Sequence, residues 1–192
     1  MPMKVICFGD SNTYGFDPRS YFGGRYEAAN RWVDRLAAST GWQMINMGQN
    51  GLAISDAEYE ADLYDSLLCR PDTDLLIIML GSNDLLQGLS AKSAAARMSR
   101  FISSLSIERG KILLLSPPAF KPGMWVENGK TLEQSSLLGG MYMELSQKLG
   151  VNFADSGKWN VDLCYDGVHF SEAGHRAFAD NLFKTLTKDK EI

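Results

Sequence analysis

The chain has 192 residues, 45% of them hydrophobic, which is enough to fill one core, and a single domain over 1–192 is expected. The balance of 19 Lys+Arg against 23 Asp+Glu gives a net charge of -4 with no basic block to match a phosphate backbone, so nucleic acid is not an expected partner. The longest apolar stretch, Leu75-Leu76-Ile77-Ile78-Met79-Leu80, falls far short of the roughly 20 residues that cross a bilayer, which excludes a membrane span.

In chain order, Met1-Pro2-Met3-Lys4 leads at once into Val5-Ile6-Cys7-Phe8, the core of a first strand predicted over 3–8. No separate apolar segment with a cleavage site precedes it, so a cytoplasmic location is expected unless an export signal has been removed ahead of the chain. A helix is predicted over 26–40, ended by Gly41, and a second strand over 42–47. Ser55-x-x-Glu58 fits a capping box, and Ala57, Ala61, Tyr64 and Leu68 follow at helical spacing. The third strand, over 74–80, is apolar without interruption, as a strand covered on both faces should be. Ala91, Ala94, Met98, Ile102 and Leu105 mark the core face of the next helix, a fourth strand is predicted over 111–115, and Thr131-x-x-Gln134 offers a second capping box. A fifth strand over 151–154 and a helix over 171–187, capped by Ser171, complete the series. Alternation of this kind predicts a three-layer α/β/α fold on a parallel sheet of about five strands in flavodoxin-like order.

Two connections are long, 12–25 and 116–130, and long loops in compact domains tend to be functional. They carry Tyr14, Phe16, Tyr21, Phe22, Met124 and Trp125, apolar side chains suited to wall a pocket; Tyr14, Phe16 and Trp125 are the candidate substrate contacts. Cys7, Cys69 and Cys164 are odd in number and far apart, which predicts buried or half-buried free thiols and no disulfide framework. With 2 His and no Cys-x-x-Cys, no zinc cluster is expected.

The strand ends hold the chemistry. Ser11 follows the first strand in Gly9-Asp10-Ser11; Asn46-Met47-Gly48-Gln49-Asn50-Gly51 follows the second; Gly81-Ser82-Asn83-Asp84 follows the third; Asp166-Gly167-Val168-His169 precedes the last helix. In a parallel sheet these ends open on one edge. A serine hydroxyl needs a base to take its proton, and a neutral imidazole does this best near pH 7, which makes His169 the candidate base for Ser11. Asp166, three residues earlier, is placed to hold one imidazole tautomer and balance the imidazolium. Attack on a carbonyl leaves a developing oxyanion, for which the amides of Ser11 and Gly51 and the side-chain amide of Asn83 are the candidate donors. Glycine suits the second position because no Cβ obstructs the approach of its N–H.

These four segments resemble the blocks of the SGNH hydrolases, also called the GDSL esterase/lipase family, on Gly9-Asp10-Ser11, Gly51, Gly81-x-Asn83-Asp84 and Asp166-x-x-His169, in the family's order. The wording Gly48-Gln49-Asn50-Gly51, Ile77-Ile78-Met79-Leu80-Gly81 and Asp166-Gly167-Val168-His169 is similar to the arylesterase and acyltransferase-like branch. Asn12 stands where the family nickname has leucine, which leaves the chemistry untouched; Leu52-Ala53 follows Gly51 where relatives often carry arginine and threonine, which bears on substrate preference. The resemblance implies a short acyl group such as acetate, and it admits a homo-oligomer in which Trp125 or Tyr21 forms a subunit contact.

Other polar residues read differently. Asp10 and Asp84 adjoin candidate catalytic residues and are expected to bond local backbone amides; His175 is expected on the surface of the last helix, and Arg31-Trp32 is expected to pack. The first turn lacks the lysine of a phosphate loop and the Gly-x-Gly-x-x-Gly of a dinucleotide site. The function expected is hydrolysis of a small carboxylic ester through an acyl-serine, with transfer to an alcohol as a further fate and no metal or organic cofactor. The alternatives are a carbohydrate O-deacetylase with the same triad and a non-catalytic binding module on the same fold.

Overall fold

The computed structural model describes residues 2–187; Met1, where the expected lead-in to the first strand begins, lies outside them. Strands β1 (Lys4–Gly9), β2 (Gln43–Gly48), β3 (Leu75–Met79), β4 (Ile112–Ser116) and β5 (Asn152–Asp155) each fall within one residue of the predicted spans. Among the described residues they form one sheet, parallel throughout, in the order β2-β1-β3-β4-β5, which is the flavodoxin-like order.

Successive side chains of a strand point to opposite faces, so a strand covered on both sides must be apolar at every position. Ile6, Phe8, Leu76, Ile78, Ile112 and Leu114 join the core under α3 (Ala61–Leu68), α5 (Ala91–Ser104) and α6 (Gly129–Leu149). Val5, Cys7, Ile77, Met79, Leu113 and Leu115 join the other core, under α2 (Trp32–Thr40) and α7 (Glu172–Thr187). Ile6 sits opposite both Ile45 and Leu76, and removing such a fully buried side chain costs about 2–5 kcal/mol. Trp32 is buried in this second core, as packing required.

Helix starts depart from the sequence reading where a side chain finds a partner outside its own turn. Gln134 does not close a capping box with Thr131; its Oε1 accepts the Ala91 amide of α5 at 2.8 Å, and Asn128 caps α6 by accepting the Thr131 amide. Ser55 bonds Glu60 and not Glu58, so a 3₁₀ turn over Glu58–Glu60 precedes α3, and of the expected stripe only Leu68 is fully buried. The helix predicted over 26–40 begins at Trp32, because Arg31 is extended (φ -95, ψ 136); Gly41 ends it in the left-handed conformation. Ser171 caps α7 as expected, its Oγ accepting the Gly174 amide at 3.0 Å. Two short helices follow strands directly, α1 (Ser11–Tyr14) after β1 and α4 (Ser82–Leu86) shortly after β3. Cys7 is buried, Cys69 and Cys164 are half-buried, and all three are free thiols. No helix among the described residues is long and apolar enough to cross a membrane.

His175 corrects an expectation: it is wholly buried, not on the helix surface. The rings of Tyr26 and Phe170 meet it edge-on at 5.2 and 5.3 Å, and the Trp32 amide points at its Nδ1 from 3.4 Å. Spacing within α7 could not reveal this, since the rings that cover His175 come from other segments. Burial, with smaller contributions from Arg31 and His169, pushes its pKa down to about 3. The native imidazole therefore stays neutral where the unfolded chain binds a proton, and stability drains away as pH falls from about 6.5 toward 3. Asp10, with its pKa raised to about 6, acts with the opposite sign, so the test is a difference between two proteins that both carry it. Going from pH 7 to pH 5 in urea unfolding, the native protein should lose about 2 kcal/mol more than His175→Phe. Equal losses would refute the assignment.

Candidate active site

The crevice of an open α/β sheet lies where the strand order reverses, here between β1 and β3. Ser11 follows β1 on one side of that point and Asn83 follows β3 on the other. Asp10 is the N-cap of α1, its Oδ1 accepting the Asn12 amide at 2.9 Å, so Ser11 is the first helical residue beyond the strand tip. Burial pushes the Asp10 pKa up to about 6, against the pull of the Asn12 amide, His169 and Ser82.

Ser11 Oγ lies 2.9 Å from His169 Nε2, and His169 Nδ1 lies 2.7 Å from Asp166 Oδ2. Asp166 Oδ1 accepts the amides of Val168 and His169, each at 2.9 Å. Burial pushes the Asp166 pKa up, but the His169 ring and the two amides outweigh it and hold the carboxyl below its ordinary value. An ionised carboxylate only accepts, so Nδ1 carries the proton and donates to Asp166, which leaves the Nε2 lone pair for the Ser11 hydroxyl.

The loop that carries this pair is locked in place from two directions. Gly167 has φ +82, and a Cβ there would stand 2.1 Å from the Lys121 carbonyl oxygen, so only glycine permits the approach. Across it, Lys121 N donates to Gly167 O at 3.0 Å, Met124 N to Tyr165 O at 3.2 Å and Trp125 N to Asp166 O at 3.1 Å. The loop over 116–130 is thereby stitched to the histidine loop and brings the Trp125 ring to 4.9 Å from the His169 ring. From the other side, Asn12 Oδ1 accepts the Phe170 amide at 2.8 Å and its Nδ2 donates to Val168 O at 3.2 Å. Asn12 therefore grips the chain on both sides of His169, a part that sequence reasoning missed; the one signal was a polar residue at the nickname's leucine position.

The second and third segments meet at the cleft. Asn83 Nδ2 donates to Leu52 O at 3.0 Å, and an amide nitrogen carries a second N–H. Gly51 has φ +75, with nothing within 4 Å of where a Cβ would be. This left-handed conformation favours glycine in its own right. Asp84 departs from expectation, since its partners are distant in sequence: Oδ2 accepts the Ile54 amide at 3.0 Å and Oδ1 faces Arg97 Nη1 at 3.3 Å.

The cleft encloses about 110 Å³ and is lined by Ser11, Gly51, Asn83 and His169 together with Phe16, Leu86, Trp125 and Val168. Phe16 and Trp125 are where the sequence put them, and Phe16 lies 4.8 Å from the His169 ring. Tyr14 is not in the wall. α1 carries it against Gly48 of β2, and its ring lies under the Arg25 guanidinium at 4.5 Å. Tyr21 and Phe22 are fully exposed on the loop closed by the Phe16–Arg25 bridge, and with Met124 they stay outside the lining.

Comparison with known proteins gives the family. No curated protein matches the sequence. Among solved structures, a carbohydrate acetylesterase family member from Sinorhizobium meliloti is 26% identical with a TM-score of 0.81, over 97% of this chain and 98% of that one. The native aryl esterase of M. smegmatis is 25% identical with a TM-score of 0.83, over 97% and 99%. Est24, a carbohydrate acetylesterase from Sinorhizobium meliloti, is 25% identical with a TM-score of 0.80, again over 97% and 99%. The family model of GDSL-like lipase/acylhydrolase proteins matches residues 7–177 and so runs through all four strand-end segments. The chain therefore belongs to the GDSL-like lipase/acylhydrolase family, and it is a carboxylic ester hydrolase.

Proposed function

We propose that the protein hydrolyses small, short-acyl carboxylic esters through an acyl-Ser11 intermediate. The observation that carries this reading is the continuous line of hydrogen bonds from Asp166 through His169 to Ser11, opening into a cleft of about 110 Å³. His169 Nε2 takes the Ser11 proton as Oγ attacks the carbonyl carbon. The carbonyl electron pair moves onto oxygen, where the amides of Ser11 and Gly51 and the Asn83 side chain stabilise it. Collapse of the tetrahedral centre breaks the bond to the alcohol oxygen, which receives the proton from His169. A water then gives its proton to the same imidazole, attacks the acyl-serine and releases the acid, returning the proton to Ser11. An alcohol in place of that water yields a new ester.

A second reading, deacetylation of a carbohydrate by the same residues, is favoured by Trp125. The residue is 52% exposed at the cleft wall, and its ring is a flat apolar surface of the kind that stacks on a sugar face. Two of the similar solved structures are carbohydrate acetylesterases. The readings differ in the alcohol and not in the chemistry. Release of acetate from acetylated sugars in preference to aryl acetates would select the second.

With p-nitrophenyl acetate, Ser11→Ala should lower kcat by about 10⁴-fold or more, and Asn83→Ala by about 10²- to 10³-fold. Native turnover in Ser11→Ala would sink the mechanism. Asn12→Ala strands the buried Phe170 amide, so urea unfolding should show a loss of about 1–3 kcal/mol, with kcat reduced more than KM is raised. A variant as stable and as active as the native protein would remove Asn12 from the account.

A further inference from the structure

The two separate carriers of the oxyanion donors have no covalent reason to keep their distance. Gly51 belongs to the loop after β2, whereas Asn83 belongs to α4, a helix of 5 residues. Donors of this kind must hold their geometry to within about 0.5 Å. Two bonds tie the carriers together: Asn83 Nδ2 to Leu52 O and the Ile54 amide to Asp84 Oδ2, both at 3.0 Å. The second depends on a carboxylate that is 0% exposed, and a charge so buried needs a counter-charge.

Arg97 supplies it. Its Nη1 lies 3.3 Å from Asp84 Oδ1, and its Nε lies 3.4 Å from Asp56 Oδ2, on the same loop a few residues beyond Gly51. Arg97 stands on α5, anchored by the buried Ala94, Met98, Phe101 and Ile102, so both carriers are referred to one rigid element. We propose that Arg97 is a positioning residue for the oxyanion hole: it bridges Asp84 and Asp56 and thereby fixes the Gly51 amide relative to the Asn83 side chain. Burial raises the Asp84 pKa, and the Ile54 amide and the Arg97 guanidinium pull against it. The inference rests on the proposed role of Gly51 and Asn83 as oxyanion donors.

The test compares Arg97→Met, Arg97→Lys and Arg109→Met in turnover of p-nitrophenyl acetate, in thermal unfolding and in affinity for phenylboronic acid, whose Ser11 adduct places an oxygen in the hole. Arg109 bonds the Ile102 and Leu105 carbonyls at the end of α5, so it probes the helix without touching the clamp. Arg97→Met should lower kcat about 10- to 100-fold with KM within about twofold, and boronate affinity should fall in parallel. Arg97→Lys should recover most of both, while Arg109→Met lowers Tm and leaves kcat unchanged. Should Arg97→Met fail to fold, Asp84→Asn, which keeps an acceptor but removes the charge, should show the same kcat and boronate losses in milder form. Native kcat and boronate affinity in the folded Arg97→Met, or in Asp84→Asn where that variant stands in, overturn the proposal alone. A native enzyme that turns over no ester, or Ser11→Ala that does so at the native rate, overturns the proposed mechanism and this inference together.

Discussion

A carboxylate sealed from water stays ionised only if the protein gives its oxygens more than burial takes away, and Asp166 is such a group. Three donors from two residues shortly after it converge on it: the Val168 and His169 amides on one oxygen and the His169 ring on the other. That local turn decides the imidazole tautomer and, with it, which atom of His169 faces Ser11. It is possible only because Gly167 adopts a left-handed conformation against the Lys121 carbonyl. A short stretch of backbone thus fixes the electronic state of the candidate base before any long-range contact is considered.

Long-range contacts then deliver the base to the serine. The sheet order brings the ends of β1, β2 and β3 side by side, while the segment after β5 must return across the sheet edge to reach them. Asn12 catches that segment on both sides of His169, and the loop over 116–130 zips along its other margin. The side of Gly51 and Asn83 is organised differently: Asp84 accepts the Ile54 amide and faces Arg97 of α5, which also faces Asp56.

The strands were legible because an uninterrupted apolar run such as Leu75–Leu80 has one comfortable home, a sheet covered on both faces. The candidate site residues were legible as residue types at strand ends, since a candidate nucleophile, base, acid and set of amide donors make a demanding combination. What escaped depends on partners distant in sequence. Gln134 reads as half of a capping box until the Ala91 amide is seen to occupy it. His175 reads as a surface residue because the rings that bury it come from the segments of Tyr26 and Phe170. Tyr14 lies on the long connection after the first strand and so reads as a pocket wall, yet α1 carries it against β2. Asn12 left a single trace, a polar residue where the nickname has leucine, and Arg97 left none, because the partners of each lie far along the chain.

The central claim is that Ser11 is made nucleophilic by His169 under the control of Asp166, and a fluorophosphonate addresses it without knowledge of the natural ester. Intact-mass and peptide analysis after labelling should find one adduct, on Ser11, formed in the native protein and slowed by about 10³-fold or more in His169→Ala. Labelling of another residue, or an undiminished rate in His169→Ala, would contradict the account.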